Sequence, residues 1–361
     1  MGIEHTQLPA ALWAKKSRHD GTAWLPLLIH LADCAQVARL LWKDWVPEGV
    51  KHSLASGFLK AQGSPLQESD LEQARNLFIF LAASHDLGKA TPCFQYRPSF
   101  PKSAVEPLLL QSLEKEGFRA SQAIFSQIAG MNHPHHSTAG QVLLEHFGLP
   151  QKLANVVGAH HGKPGNVNQM VDQSISRIAA AYGHSPGEGT KWRDAQKGLV
   201  DLALSISGWR SLEEMPVPDA PAQLLLSALV IIADWIASAE DLFPLFDWHQ
   251  EWDPAAADQL GRDRARIAMQ KLKLPQSWIP SHQWMQDNFF TLRFGPGIPG
   301  FQPHPAQQAA VDQVSGILKP GILVLEAPMG SGKTETALAI AEIFAQKSGR
   351  DLLPKKVVHL R

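Results

Sequence analysis

The chain has 361 residues, of which 44% are hydrophobic and 19% charged, and its formal net charge at pH 7 is −1. This composition is typical of a globular protein with one large or two ordinary domains, and it excludes a protein that coats nucleic acid through bulk positive charge. Two cysteines, Cys34 and Cys93, provide no disulfide framework and favour a reducing, cytoplasmic compartment. The longest apolar run, residues 224–239, is interrupted by Asp234 and too short to cross a bilayer, so we expect no membrane partner.

Helical periodicity dominates the first 240 residues, and strand-like alternation is scarce. Polar loops with glycine and proline separate the predicted helices, which cover residues 26–42, 71–84, 121–128, 138–147, 151–160, 172–181, 194–207 and 220–239.

The stretch GPGIPGFQPHP at residues 295–305 contains three glycines and four prolines, too many for a helix interior or a central strand. After it we predict a helix over 306–317, a short strand over 322–325, a glycine-rich loop and a helix over 335–347. The sequence therefore predicts a mainly α domain over residues 1–290, a linker over 291–305 and the start of an α/β domain over 306–361.

The stretch FLAASHDLGKATPCFQ at residues 80–95 places His85 and Asp86 at the end of an apolar helical run. His85 lies four residues after Leu81 and continues the apolar face of that helix. Two titratable groups are therefore directed into a core, which is costly unless they are hydrogen-bonded or bind a ligand. A buried His–Asp pair and a metal site both satisfy this requirement.

Further segments place histidine or aspartate in comparable surroundings. His30 shares a helical face with Cys34 in LLIHLADCAQVARLL, NHPHHSTAG has three histidines before a helix, VVGAHHGKPG ends a helix with two, and Asp234 interrupts an apolar helix. Each histidine alone is also compatible with a hydrogen-bonded core residue, but burying an unpaired carboxylate is expensive. Together they predict that imidazoles and carboxylates converge on metal ions, whose charge offsets the buried carboxylates.

These groups suffice for two ions, with Asp86 placed to bridge them. Nitrogen and oxygen ligands without a committed thiolate favour Mn, Fe, Co, Ni or Mg over a structural zinc site. Two bridged ions activate a water molecule and hold the attacking and leaving oxygens of a phosphodiester. Lys89, one turn after His85, is a candidate for binding a phosphate oxygen, and an exposed lysine after a helix end is the alternative.

The ordered set H…HD…H…HH…D resembles the HD superfamily of metal-dependent phosphohydrolases. The segments HDLGKATPCFQ, HSTAG, HHGKPG and ADWIAS are similar to the HD nuclease domain of the CRISPR-associated nuclease–helicase family of type I systems. That resemblance extends over residues 20–240 and continues into the next domain. It implies one ion held by His30, His85, Asp86 and Asp234, and a second held by Asp86, His136, His160 and His161.

His136 is preferred to His133 and His135 because it begins the segment HSTAG. The family resemblance further implies metal-dependent cleavage of single-stranded DNA that an RNA-guided surveillance complex exposes. We expect the chain to act as a monomer.

The segment LVLEAPMGSGKTETALAI at residues 323–340 predicts a phosphate-binding loop between a strand and a helix. Backbone N–H groups of Gly330, Ser331 and Gly332 would surround phosphates, Lys333 would reach the β- and γ-phosphates of ATP, and Thr334 would bind Mg²⁺. Ala327 occupies the first position of the motif in place of glycine, as is common in superfamily 2 helicases, which this segment resembles.

Gln307 stands where such helicases have an adenine-reading glutamine. Gln308 and a solvated pair of helix glutamines are the alternatives.

Residues 306–361 hold no acidic Mg²⁺-binding segment and no second motor domain with an arginine finger. We therefore expect that this chain does not hydrolyse ATP, being either a fragment of a longer nuclease–helicase or a natural truncation. The leading hypothesis is a two-metal DNA endonuclease. The alternatives are an HD phosphohydrolase acting on nucleotides or cyclic dinucleotides, and a non-catalytic binding module with structural metals.

Overall fold

The computed structural model describes residues 8–17, 21–58, 65–99, 103–120, 122–129, 134–164, 175–185, 190–274, 289–317 and 323–347. The backbone forms two compact units, one made of residues 1–45 and 54–275 and the other of residues 46–53 and 276–361. The predicted linker, residues 291–305, falls within the second unit. The domain boundaries remain a prediction.

Helices make up most of the described chain, as predicted. They are α1 (Leu27–Asp44), α2 (Glu48–Ser56), α3 (Glu68–Ser84), α4 (Pro92–Gln95), α5 (Glu106–Lys115), α6 (Gln122–Ala129), α7 (His136–His146), α8 (Gln151–Gly158), α9 (Ala179–Tyr182), α10 (Lys191–Ser207), α11 (Ala220–Ser238), α12 (Ala257–Leu272), α13 (Phe289–Phe294), α14 (Pro305–Ser315) and α15 (Lys333–Lys347).

A small antiparallel sheet, which the sequence pattern did not predict, precedes α1. Its strands are β1 (Trp13–Lys16) and β2 (Trp24–Pro26), paired Trp13 with Pro26 and Lys16 with Trp24 across an irregularity. Strands of four and three residues are too short for alternation to be recognised in a sequence. The sheet places the β1 lysines beside the helical core.

Helix α1 is the central element of the first unit. Most of its residues, on all sides, are buried, and it packs against α3, α10, α11 and α12. The approach of α12 is close at Gly261, where a Cβ atom would lie 2.9 Å from the Ala32 carbonyl carbon. Because α1 is enclosed in this way, a polar side chain on it, such as His30, must find its partners inside the protein.

Helix α12 is absent from the predicted elements. Its sequence, ADQLGRDRARIAMQKL, is rich in charge, and the buried positions are occupied by the small residues Ala257, Gly261, Ala265 and Ala268. Small residues carry little hydrophobic signal, so the contact face of this helix is inconspicuous in the sequence.

Two of the predicted elements differ from those in the structure. Helix 172–181 is observed in part as α9, and residues 172–174 lie outside the described residues. Residues 323–325, predicted as a strand, are irregular, and Ile322 is outside the described residues. A lone strand has no hydrogen-bonding partner, and the described part of this unit offers none.

The second unit has its own apolar core, formed mainly where α14 packs against α15. It contains Phe290, Val311, Val314, Ala339, Ile340, Ile343 and Phe344.

Among the described residues, α11 alone has the length and apolar composition that crossing a membrane would require. Core helices of water-soluble proteins meet the same criteria, and α11 packs against α1, α3 and α8.

Candidate metal centre

Five segments of the first unit bring their histidines and aspartates to one place. α1 supplies His30, the end of α3 supplies His85 and Asp86, the start of α7 supplies His136, the turn after α8 supplies His160 and His161, and α11 supplies Asp234. His133 lies outside the described residues.

The HD pair lies at the end of α3, where the chain leaves the helix for a 3-10 turn at Leu87–Lys89. Nδ1 of His85 donates a hydrogen bond to the Ala82 carbonyl oxygen, 2.9 Å away. In the neutral ring this bond leaves the lone pair on Nε2 of His85. Nε2 is buried, makes no hydrogen bond within the described part of the chain, and lies 3.4 Å from carboxylate oxygens of both Asp86 and Asp234.

Asp86 is at the centre of the group. Its Oδ2 lies 3.1 Å from Nε2 of His30 and 2.6 Å from Nζ of Lys89. Its Oδ1 lies 3.5 Å from Nε2 of His136 and 3.6 Å from Nε2 of His160. The two oxygens of one buried carboxylate therefore face two different sets of imidazoles, which is the arrangement that a bridging ligand needs.

The second set of imidazoles comes from α7 and α8. Nδ1 of His160 donates to the Val157 carbonyl oxygen at 2.7 Å, so its Nε2 is free to bind a cation. His161 lies further out: its Nε2 is 2.9 Å from Nε2 of His136. His135, the rival of His136 in the sequence, caps α7 through Nδ1 and groups with His136 and His161.

Two glycines explain how α7 reaches the HD turn. A Cβ atom on Gly88 would lie 1.9 Å from the His136 carbonyl oxygen and 2.5 Å from the Gly140 amide nitrogen. A Cβ atom on Gly140 would in turn lie 3.1 Å from the Gly88 nitrogen. The backbones thus touch where HDLGK crosses HSTAG, and this contact holds His136 beside Asp86.

Residues that sequence reasoning missed orient the ligands. Ser238 donates to Oδ1 of Asp234 at 2.8 Å, and Nζ of Lys15, on β1, donates to the Ser238 carbonyl oxygen at 2.7 Å. The i, i+4 spacing of Asp234 and Ser238 on α11 could have indicated their hydrogen bond from the sequence. Lys15 gave none, because its position depends on the unpredicted sheet.

Gln95 fixes the other side of the site. Its side-chain amide donates to the backbone oxygens of Lys89 and Trp13, at 2.8 and 2.9 Å, and accepts from the Trp13 amide. It ties the HD turn to β1.

The electrostatics separate the site into charged and neutral parts. Burial raises the pKa of Asp86, but Lys89 and His85 outweigh it and hold that pKa well below its usual range. Burial opposes a charge on His85, yet Asp86, Cys34 and Asp234 raise its pKa well above normal. Burial lowers the pKa of His136 to about 2 and that of His160 to about 4. Both are therefore neutral at pH 7, the form that binds metal.

The donor set fits divalent metal ions. Buried atoms with no hydrogen-bond partner among the described residues include Nε2 of His85, Nε2 of His160 and Oδ1 of Asp86, all directed at the same group. Leaving a buried polar atom unsatisfied costs about 1–3 kcal/mol, so these three neighbouring atoms favour bound cations as their partners. Imidazole nitrogens and carboxylate oxygens suit a transition-metal ion.

The predicted phosphate loop lies in the second unit. Gly330 and Gly332 have φ angles of 81° and 75°, which residues with a Cβ rarely adopt. Lys333 begins α15, and its Nζ donates to the Ala327 carbonyl oxygen at 2.7 Å. Gln307 is buried and donates to the Gly332 carbonyl oxygen at 3.1 Å, which links α14 to the loop. Thr334 is exposed, and Ser331 donates to the Pro328 carbonyl oxygen.

The chain is similar to known proteins, both in the segment that holds the candidate metal centre and over most of its length. Residues 13–243 match the family model "Cas3, HD domain". The chain is 35% identical over 349 residues to the CRISPR-associated nuclease/helicase Cas3 of Streptococcus thermophilus, covering 93% of this chain and 35% of that protein. It is 30% identical over 350 residues to the CRISPR-associated endonuclease/helicase Cas3 of Thermus thermophilus, covering 94% of this chain and 32% of that protein.

A solved structure of T. fusca Cas3 with ATP aligns with a TM-score of 0.66 at 23% identity, over 95% of this chain and 35% of that one. These matches confirm the predicted fold class, an HD-type helical domain followed by part of a helicase segment. The chain spans about a third of the length of the curated relatives it matches.

Proposed function

The chain belongs to the Cas3 HD-domain family, and from this we propose that its first unit is a metal-dependent endonuclease that cleaves single-stranded DNA. The observation that supports the proposal is the buried Asp86 carboxylate with one oxygen toward His30 and His85 and the other toward His136 and His160. Such a carboxylate can hold two cations side by side.

We assign one ion to His30, His85, Asp86 and Asp234, and a second to Asp86, His136, His160 and His161. Divalent ions held there, such as Mn, Ni, Co, Fe or Mg, would activate water and stabilise the charge that develops on a phosphodiester. The chain's own contribution is a rigid frame. Backbone acceptors fix the rings of His85 and His160, and Ser238 fixes Asp234.

Lys89 is the proposed phosphate-binding residue. Its side chain is largely buried, and in this structure its ammonium group neutralises Asp86. Were Asp86 to hold cations, Lys89 would no longer be needed to neutralise that carboxylate and could donate to a phosphate oxygen of the substrate. A solvated surface lysine would not be held in this way.

The wider role follows from the relatives, whose names describe CRISPR-associated nuclease/helicases. We propose that the chain acts in CRISPR defence, in the cytoplasm, as a monomer recruited to an RNA-guided surveillance complex of the Cascade type. We also propose that the phosphate loop binds ATP with Mg²⁺ as part of a helicase motor. The absence of ATP hydrolysis by these 361 residues remains a prediction, which a phosphate-release assay tests.

The test of the nuclease is cleavage of circular single-stranded DNA. The chain is incubated with Mn²⁺, Ni²⁺ or Co²⁺, with and without chelator, beside a panel of nucleotides and cyclic dinucleotides. We expect the circle to be cut and chelator to prevent it. Turnover of nucleotides alone would support the phosphohydrolase alternative, and no turnover would support a binding module.

Asp86→Ala provides the matched test of mechanism. We expect it to abolish cleavage and to deplete bound metal, because the carboxylate shared by both ions is lost. Asp201→Ala, which removes an exposed carboxylate paired with Lys197, should change neither. Retained cleavage in Asp86→Ala would contradict the proposal.

A further inference from the structure

Cys34 lies one helical turn after His30 on α1 and is fully buried. Its Sγ is 4.0 Å from Nε2 of His30, the same nitrogen that faces Asp86 and Asp234. Ligand atoms of His30, Cys34, His85 and Asp234 all lie within 4.8 Å of one another. The thiol therefore lies at the inner end of the metal centre.

An independent observation indicates that a cation belongs at this end. Nε2 of His85 is buried and makes no hydrogen bond within the described residues, while its Nδ1 is committed to the Ala82 carbonyl oxygen. At ordinary metal–nitrogen and metal–sulfur lengths, two ligands of a tetrahedral ion lie about 3.6 Å apart. The 4.0 Å between Sγ and Nε2 of His30 exceeds this by only about 0.4 Å.

We propose that Cys34 is a further, sulfur ligand of the ion assigned above to His30, His85, Asp86 and Asp234. The inference rests on the metal binding proposed above but not on the nuclease activity. On binding, the Sγ–H bond breaks, Sγ donates its electron pair to the ion, and the proton leaves to solvent. A thiolate among imidazoles and carboxylates favours Zn²⁺, Co²⁺ or Ni²⁺ over Mg²⁺ and Mn²⁺.

The second cysteine provides a matched control. Cys93 is also buried, but it packs in an apolar cluster with Ile124 and Ala181, and its Sγ lies 3.3 Å from the Thr91 hydroxyl. It is not part of any group of ligand atoms among the described residues.

The experiment is a titration of the metal-free chain with Co²⁺, followed by absorption spectroscopy. We expect a near-ultraviolet sulfur-to-cobalt charge-transfer band in the unmodified chain and in Cys93→Ser. Cys34→Ser and Cys34→Ala should lose this band and keep the visible bands of bound Co²⁺. We also expect Cys34→Ser to lower the affinity for Zn²⁺ relative to Mn²⁺ by at least about tenfold.

A measurement on the unmodified chain covers the case in which the Cys34 variants fail to fold. X-ray absorption at the cobalt edge should show a sulfur neighbour. Bound Co²⁺ without a sulfur neighbour or charge-transfer band, or a band that persists in Cys34→Ser, would overturn the sulfur ligand and leave metal binding intact. No Co²⁺ binding at all would overturn both.

Discussion

At the scale of single residues, Asp86 and Lys89 form the tightest contact of the site. Their 2.6 Å ion pair joins groups that are both largely buried, so neither charge is strongly screened by solvent. A lysine in this position opposes cation binding to Asp86 and, by the proposal above, assists the substrate. These two effects distinguish a phosphate-binding Lys89 from a lysine with a purely structural role, and they lead to a prediction.

Lys89→Ala should lower single-strand cleavage by about 10²-fold, because a group that stabilises charge on the phosphate is lost. Metal affinity should stay the same or rise, because the ammonium that competes for Asp86 is absent. Isothermal titration with Mn²⁺, run beside the cleavage assay, measures both quantities. The control is Lys197→Ala, which removes an exposed lysine paired with Asp201. A parallel loss of metal would instead assign Lys89 a structural role.

At this scale the sequence singled out His30, His85, Asp86 and Asp234 because an inward His or Asp on an apolar helix is conspicuous. The choice of His136, His160 and His161 as ligands rested on the family resemblance, and the full ligand set remains a proposal. The sequence could not predict which imidazole nitrogen faces the centre, since that depends on backbone acceptors such as the Ala82 carbonyl oxygen. It also left Cys34 out of the ligand set, although the residue shares the helical face of His30. In a sequence, a thiol at that position is as compatible with a small apolar core residue as with a metal ligand.

At the scale of elements, the site depends on two helix contacts, one beside the second set of imidazoles and one behind α1. The first is the crossing of Gly88 and Gly140. The second is the approach of α12 to α1, where Arg264 forms an ion pair with Asp33 at 3.0 Å. Asp33 is fully buried one turn from His30, so its pairing also bears on the position of the first ion's ligand.

Gly88→Ala should displace α7 from the HD turn, because the added methyl group meets backbone atoms that cannot rotate away. We expect the second ion to be lost while the first remains. The bound metal content should therefore fall by one equivalent per chain, and cleavage should be abolished. Gly316→Ala is the control, since its Cβ would meet only ordinary contact at 3.6 Å. Full metal content in Gly88→Ala would contradict this account.

Arg264→Met should destabilise the first unit by about 3–5 kcal/mol, because it leaves the buried Asp33 carboxylate without its partner. Denaturant unfolding at pH 7 measures the change. Arg266→Met, which removes a mostly exposed arginine paired with Asp263, should cost less than about 0.5 kcal/mol. The double variant Asp33→Asn with Arg264→Met should recover much of the loss.

The same pair predicts a pH dependence. Burial, only partly offset by Arg264, raises the pKa of Asp33 to about 6, above its ordinary value of 3.8. The folded state therefore binds the Asp33 proton more tightly than the unfolded state. The stability that this protonation contributes is fully present below pH 4 and is lost as the pH rises through about 6. The difference in unfolding free energy between the wild type and Asp33→Asn should change over this interval and be constant above it.

At the scale of the whole molecule, the two units carry different chemistry. The first holds the metal centre, and the second holds the phosphate loop with its own apolar core. The sequence placed a change of pattern near residue 295, and the domain boundaries drawn from it remain a prediction. It could not predict the unit boundary, because the chain returns residues 46–53 to the second unit, and a contact between distant segments leaves no local signal.

Lys333→Ala should abolish nucleotide binding by the second unit and leave cleavage of free single strands unchanged. Lys89→Ala should have the opposite pattern. Binding of a fluorescent ATP analogue and cleavage of circular DNA, measured on both variants, test the separation. Loss of cleavage in Lys333→Ala would show that the two chemistries are coupled within this chain.

The contact between Gly88 and Gly140 also limits how the protein can change over generations. When a residue in a packed core grows, a neighbour can usually shrink to make room. Here the atoms that a Cβ on either glycine would meet first all belong to the main chain, which no substitution removes. Neither position has a compensating partner, so we expect these two glycines to be as resistant to drift as the metal ligands they align.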